Sequence, residues 1–191
     1  MAISAFIIWG GIAVTVLYFI MIYNGLVRLK HNVSQAWSNI DVLLKQRHDE
    51  LPKLIETCKQ YMGFEKDVLQ KVTQARAAVA HAREAGNVRA LGPAEMQLRA
   101  TMGNLYAVAE NYPELRANES FQNLQSRISQ LEAQIADRRE FYNDSVNTNN
   151  IRIEQVPDAF IARMLHFGAR ELLTFDKSEL KDVNVKALFN S

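Results

Sequence analysis

The stretch ISAFIIWGGIAVTVLYFIMI, residues 3–22, decides how this chain is built. It holds no charged side chain, and the uncharged run extends to Val27 before Arg28, Lys30 and His31 appear. About 20 apolar or small residues make roughly 30 Å of helix, the thickness of a bilayer's hydrocarbon core. A cleaved signal peptide would carry a basic segment ahead of the run and a small-residue cleavage site behind it. Only Met1 and Ala2 precede it, and Ile22-Tyr23-Asn24-Gly25 is no such site. A core helix of this length would show a polar face, which this one lacks. The run is therefore expected to be a permanent single span (residues 1–24), anchored by Ile3, Phe6, Trp9, Gly10, Gly11, Tyr18 and Ile22. Trp9 toward one end and Tyr18 and Tyr23 near the other suit the two interfaces. Gly10-Gly11 either lets a second helix approach closely or is glycine of the kind that spans tolerate. Basic residues flank only the C-terminal side, at Arg28 and Lys30, so the positive-inside rule puts the remainder in the cytoplasm.

The chain beyond the span is long enough for one domain with a core of its own. A net charge of +1 gives no basic footprint for nucleic acid. The single cysteine, Cys58, excludes an intramolecular disulfide and suits a reducing compartment. With four prolines and eight glycines in 191 residues there is little punctuation, which favours few, long elements. No alternating β-branched run bounded by turns appears after residue 22, so the chain is expected to be all-α.

Val33, Trp37, Ile40, Leu44, Leu51, Leu54, Cys58 and Tyr61 recur in steps of three, four and seven, the stripe of one helix over about 25–62. Pro52 lies inside it, yet the stripe keeps phase, which predicts a kinked continuous helix that ends at Gly63. No breaker separates it from the span, so the two should be nearly continuous. A second helix is expected over 64–86 on Val68, Val72, Ala75, Val79 and Ala82, ended by Gly86-Asn87. Residues 86–92 read as a loop. Pro93, placed as a first-turn proline, opens a third helix over 93–112 that Pro113 ends. Asn118 suits the N-cap of a fourth helix over 118–154, with Phe121, Leu124, Ile128, Leu131, Ile135, Tyr142 and Val146 on its stripe.

Short loops make neighbours antiparallel, so residues 25–155 predict a four-helix bundle in the order long, short, short, long. The first helix would reach about 57 Å from the membrane at 1.5 Å per residue, and the fourth would return the same distance. Residues 156–191 then lie beside the bilayer as an amphipathic helix and a tail that is uninformative beyond Asp176. Phe160, Ile161, Met164, Leu165 and Phe167, with Arg163 and Arg170 among them, form either a helix closing the bundle or an interfacial helix on anionic headgroups.

Chemistry is scarce. A di-iron bundle needs Glu-x-x-His, but Arg28, Lys45, Ala78 and Arg163 stand three residues before His31, His48, His81 and His166. There is no His-Glu-x-x-His, no thiolate cluster, no phosphate loop and no Gly-x-Ser-x-Gly. Cys58 lies on the apolar stripe as a packed thiol, and His48-Asp49-Glu50 point around the helix as a solvated face. No catalytic residue, metal or cofactor is expected. One polar contact is: counting heights along the first and fourth helices puts Trp37 level with Tyr142, and Asp41 level with Arg138 or Arg139. Asp41 and one of these arginines should form a partly buried, register-setting pair.

Several stretches resemble the bacterial LemA family: YNGLVRLK (23–30), AWSNIDVLLKQR (36–47), VTQARA (72–77), YAVAENYPELRAN (106–118) and REFYND (139–144). They occur in order between about residues 20 and 170. The resemblance implies a bacterial inner-membrane protein with a small external N-terminus, a cytoplasmic helical body and no established catalytic residues. It also implies relatives associated with magnetosome membranes. Cys58, where the family has small apolar residues, and the tail after Phe175 depart from the pattern. The function this suggests is a non-enzymatic scaffold that binds the lipid bilayer, self-associates as a homo-oligomer and organises the membrane. The alternative is an adaptor that offers the bundle tip, Tyr61 to Glu65 and Tyr112 to Asn118, to an unknown protein partner.

Overall fold

The computed structural model describes residues 2–174, with side chains from residue 6 onward. The side chain of Ile3 and the tail after Thr174 lie outside the described residues. Those residues form six helices and no strand: α1 (Ala2–Tyr61), α2 (Lys66–Glu84), α3 (Val88–Ala109), α4 (Pro113–Ala117), α5 (Glu119–Glu154) and α6 (Asp158–Met164). They divide into two compact units. One comprises Met1–Asn39 with Glu140–Glu171; the other comprises Ile40–Arg139 with Leu172 onward.

In the larger unit the apolar stripes turn inward. Ile40, Leu44, Leu51, Leu54 and Cys58 of α1 are buried with Val72, Ala75 and Val79 of α2, Leu98, Met102 and Leu105 of α3, and Ile128, Leu131 and Ile135 of α5. α2 and α3 pack against each other. Pro52 sits inside an unbroken α1, which joins the apolar run and the first amphipathic stripe in a single helix. Burial of Leu51 and Leu54 on either side of it offsets the missing backbone bond.

Caps set the boundaries that periodicity places differently. α2 ends in a Schellman turn: Gly86 takes φ +62°, its N–H bonds Arg83 O at 3.0 Å, and Asn87 N–H bonds Ala82 O at 3.0 Å. Asn87 then caps α3, its Oδ1 accepting from Ala90 N–H at 3.0 Å. The connection is therefore only Ala85, Gly86 and Asn87 instead of a loop over 86–92, and Pro93 lies within α3 rather than at its start. Pro113 does not merely end α3; it is the first residue of α4. Asn118 caps α5, accepting from Phe121 N–H at 3.0 Å.

In the smaller unit Ile22 and Leu26 of α1 form a cluster with Ile161 and Ala162 of α6, flanked by Ile153 and Phe167. Trp37 and Tyr142 meet with ring centroids 5.5 Å apart, as the height count along the two helices predicts. The C-terminal amphipathic helix is shorter than its pattern. It stops at Met164 because His166 takes φ +58° and closes a second Schellman turn, with Phe167 N–H on Ala162 O at 2.9 Å. Residues 168–174 continue without helix.

Candidate functional site

Residues 6–21 of α1 are exposed along their whole length, including Phe6 at 79%, Trp9 at 70% and Met21 at 70%. A soluble core helix would be covered, so this exposure removes that alternative. Nothing approaches the Cβ positions of Gly10 or Gly11. Thr15 Oγ1 donates to Gly11 O at 2.9 Å, the local satisfaction that a hydroxyl in hydrocarbon requires. Ile22, the last of the expected anchor positions, is buried by α6 rather than open to lipid.

The residues expected on one amphipathic face divide in two. Ile161 is buried and Phe167 is half-buried, packed edge-on to Tyr23 at 6.2 Å. Phe160, Met164, Leu165, Arg163 and Arg170 are exposed, as are Arg28 and Lys30. The segment is held to its unit by polar clamps. Asn150 Oδ1 accepts from Arg170 N–H at 2.8 Å and its Nδ2 donates to Arg170 O at 2.9 Å. Tyr142 Oη donates to Glu171 O at 2.9 Å. Buried Asp158 pairs with Arg152. Beside these contacts lies a cleft of about 440 Å³, lined on α1 by Tyr23, Val27, Lys30 and His31.

The larger unit holds several polar contacts between its helices. Asp41 lies 3.6 Å from Arg83 of α2; Arg138 is exposed and Arg139 half-buried. The deeply buried pair is Arg47 Nη2 with Glu95 Oε1, 2.5 Å apart with 2% of each side chain exposed. His48 is no acid/base partner of Asp49 or Glu50. Arg76 Nη2 lies 2.6 Å from its Nε2 and Arg76 Nε donates to its carbonyl at 3.0 Å. An arginine can only donate, so His48 accepts as a neutral ring. Burial and then the Arg76 charge hold its pKa below the ordinary value. Cys58 is fully buried and its thiol is pushed up to about 11 by burial, an inert group.

Glu132 of α5 is raised above the ordinary carboxylate value, chiefly by burial, against the attraction of Arg47 and Arg99. Its Oε1 has no hydrogen-bond partner among the described residues. An acid raised on folding costs nothing below its unfolded value of 4.5, and destabilises increasingly as pH climbs through the raised value. Glu132→Gln is therefore expected to match the parent near pH 4 and to melt a few degrees higher at pH 7. About 2 °C would correspond to less than 1 kcal/mol in a chain of this size. Thermal melts at the two pH values check this; a lower melting point at pH 7 would mean that Arg47 and Arg99 outweigh burial.

A family model described as the LemA family matches residues 36–187. The chain belongs to the LemA family. This LemA-family chain is 26% identical over 184 residues to Protein LemA of Metamycoplasma hominis, covering 94% of this chain and 81% of that protein. It is 23% identical over 175 residues to magnetosome protein MamQ 2 of Paramagnetospirillum magneticum, covering 80% of this chain. It is 20% identical over 171 residues to magnetosome protein MamQ of Magnetospirillum gryphiswaldense, covering 78%. The chain spans only 64% and 63% of the lengths of these two magnetosome proteins. Family membership and the exposed apolar length of α1 together point to a membrane-associated protein.

Proposed function

We propose that this LemA-family protein is a single-pass scaffold of the bacterial inner membrane, with its helical body in the cytoplasm and α1 rooted in the bilayer. The observation that carries the reading is the exposed, uncharged stretch 6–21 of α1, joined without a break to an amphipathic helix. The one-sided flank of Arg28 and Lys30 supports the orientation. Arg47–Glu95, Asp41–Arg83 and Arg76–His48 tie α1 to α2 and α3, which supports an antiparallel bundle of α1, α2, α3 and α5 in the larger unit. α6 packs on Ile22 and Leu26, so Phe160 and Met164 emerge at the level where α1 leaves the apolar run. They supply a second lipid contact. Self-association through the span, where Gly10-Gly11 leaves the helix surface open, would convert such anchored bodies into a membrane-organising array.

The test is negative-stain microscopy and mass photometry of the full chain extracted in mild detergent. Ordered homo-oligomers are expected, broken to smaller species by Gly11→Leu; uniform monomers would overturn the scaffold. A second reading, an adaptor, is favoured by one observation. Phe64 is fully exposed beside a tip that Tyr112–Glu65 (3.2 Å) and Asn118–Tyr61 (3.1 Å) hydrogen bonds hold in place. Recovery of one stoichiometric partner, lost in Phe64→Ser, would select it.

A further inference from the structure

The cleft in the smaller unit is basic and has no acidic wall. Lys30 and His31 reach it from α1, His166 and Arg170 from the segment after α6, and Tyr23 and buried Asn149 complete its polar lining. No carboxylate lines it, and none of the four basic side chains forms an ion pair among the described residues. Lys30 and Arg170, like charges held around one concavity, repel one another unless an anion lies between them.

Two features show that the cleft is built rather than incidental. The Arg170 backbone is fixed at both its N–H and its C=O by Asn150, which sets the stem from which the guanidinium projects. His166 holds φ +58°, a left-handed conformation that strains a residue with a Cβ, at a helix C′ position where glycine is the usual occupant. A histidine kept there at a conformational cost brings an imidazole to the cleft wall.

The level of the cleft names the anion. Its α1 lining runs from Tyr23 to His31, directly beyond the apolar run. Eight residues from Ile22 to Lys30 rise about 12 Å along a helix, and the headgroup layer outside the hydrocarbon core is roughly 5–8 Å deep. Lysine and arginine stems extend back toward that layer. We propose that this cleft binds a phosphate-bearing anion, the headgroup phosphate of an anionic phospholipid, with Lys30 and Arg170 as the charge-bearing contacts and His31 and His166 as donors. This rests on the membrane-rooted reading of α1 for the lipid as the source; the phosphate chemistry itself does not.

The full chain in mild detergent is titrated with phosphatidylglycerol, phosphatidic acid or phosphatidylcholine and followed by native mass spectrometry, with inorganic phosphate followed in parallel by ³¹P line width. Retention of one anionic lipid and not of phosphatidylcholine is expected. Lys30→Gln with Arg170→Gln should cut retention about tenfold, the effect of losing roughly 1.4 kcal/mol of charge-assisted contact. His166→Gly is the second variant, because glycine suits the C′ position and keeps the turn while removing the imidazole; it too should lose lipid. Line broadening of inorganic phosphate that depends on Lys30 and Arg170, without lipid retention, would assign the same chemistry to a soluble phosphate source. Equal retention of all three lipids, or retention and broadening unchanged in both variants, would overturn the site. Flotation of the wild-type chain with liposomes is scored separately, so a failed cleft with intact flotation leaves the membrane reading standing. Anion binding in detergent without flotation does the reverse.

Discussion

Glu95→Ala is expected to remove about 3–5 kcal/mol of stability, the usual result of breaking a buried ion pair by deleting one partner. That is a large part of the roughly 5–15 kcal/mol by which a domain is ordinarily stable. Arg47 cannot discharge itself by losing a proton, and its Nε already lacks a hydrogen-bond partner among the described residues. Without Glu95, the guanidinium would remain 2% exposed with half-buried Glu132 as the remaining carboxylate in its field. Arg47→Met with Glu95→Met should restore most of the loss, because an apolar pair of similar volume avoids the desolvation of both charges. Cys58 offers the measurement. Its thiol is completely covered in the same unit, so the rate of alkylation by a maleimide reports opening of that unit while the membrane span stays helical in detergent. Fast labelling in Glu95→Ala and slow labelling in the double variant is the expected pattern; equally fast labelling in both would mean the pair is needed for more than its charge balance.

The position of this pair was visible in the sequence as a gap. The α1 stripe steps by three and four from Ile40 to Leu44 and from Leu51 to Leu54 and Cys58, and jumps by seven between Leu44 and Leu51. Arg47 fills that jump and is buried there. Periodicity counts apolar letters, so a charged residue on the inner face is read as an interruption. Glu95 hides in the same way, three residues before Leu98 in α3, and Asn149 three after Val146 in α5. Asp41, by contrast, looks inward from its neighbour Ile40 but sits at the edge of the face, where Arg83 of α2 reaches it.

Long elements were legible because many residues agree about each one: the uncharged run, the α1 stripe and the Trp37–Tyr142 level all come from period and rise. Ends were less so, since a single side chain decides them. Asn87 starts α3 six residues before the proline that periodicity favours. His166 stops α6 where the amphipathic pattern continues, and only geometry shows a non-glycine residue in a left-handed turn. The cleft was missed for a related reason. Lys30, His31, Asn149, His166 and Arg170 lie on three segments far apart in the chain, and no local spacing connects them.

Ile12→Arg with Val16→Arg is expected to release the chain from the membrane. Both residues lie mid-span, about half exposed and one turn apart, and neither belongs to a buried cluster. Residues 3–22 contain eleven Ile, Leu, Val and Phe, which together favour insertion by about 3–7 kcal/mol at roughly 0.3–0.6 each. Two arginines near the centre oppose it by about 5–7 kcal/mol, and two favourable residues are lost as well. The balance reverses, and the variant should move from the carbonate-resistant membrane pellet to the extractable fraction. It should not lose lipid binding altogether. Phe160 and Met164 are 67% and 57% exposed beside the helix that covers Ile22 and Leu26, and burying them in a headgroup boundary is worth about 3–5 kcal/mol together. That supports reversible attachment of the strength a single acyl chain gives, not permanence. Adding Phe160→Asp and Met164→Asp to the arginine variant should therefore abolish liposome flotation, whereas the aspartates alone should leave the carbonate-resistant fraction unchanged. Persistence of the arginine variant in the pellet would mean that something other than residues 3–22 holds the chain. The opposite pattern, release by the aspartates alone, would make α6 the anchor and the span its accessory.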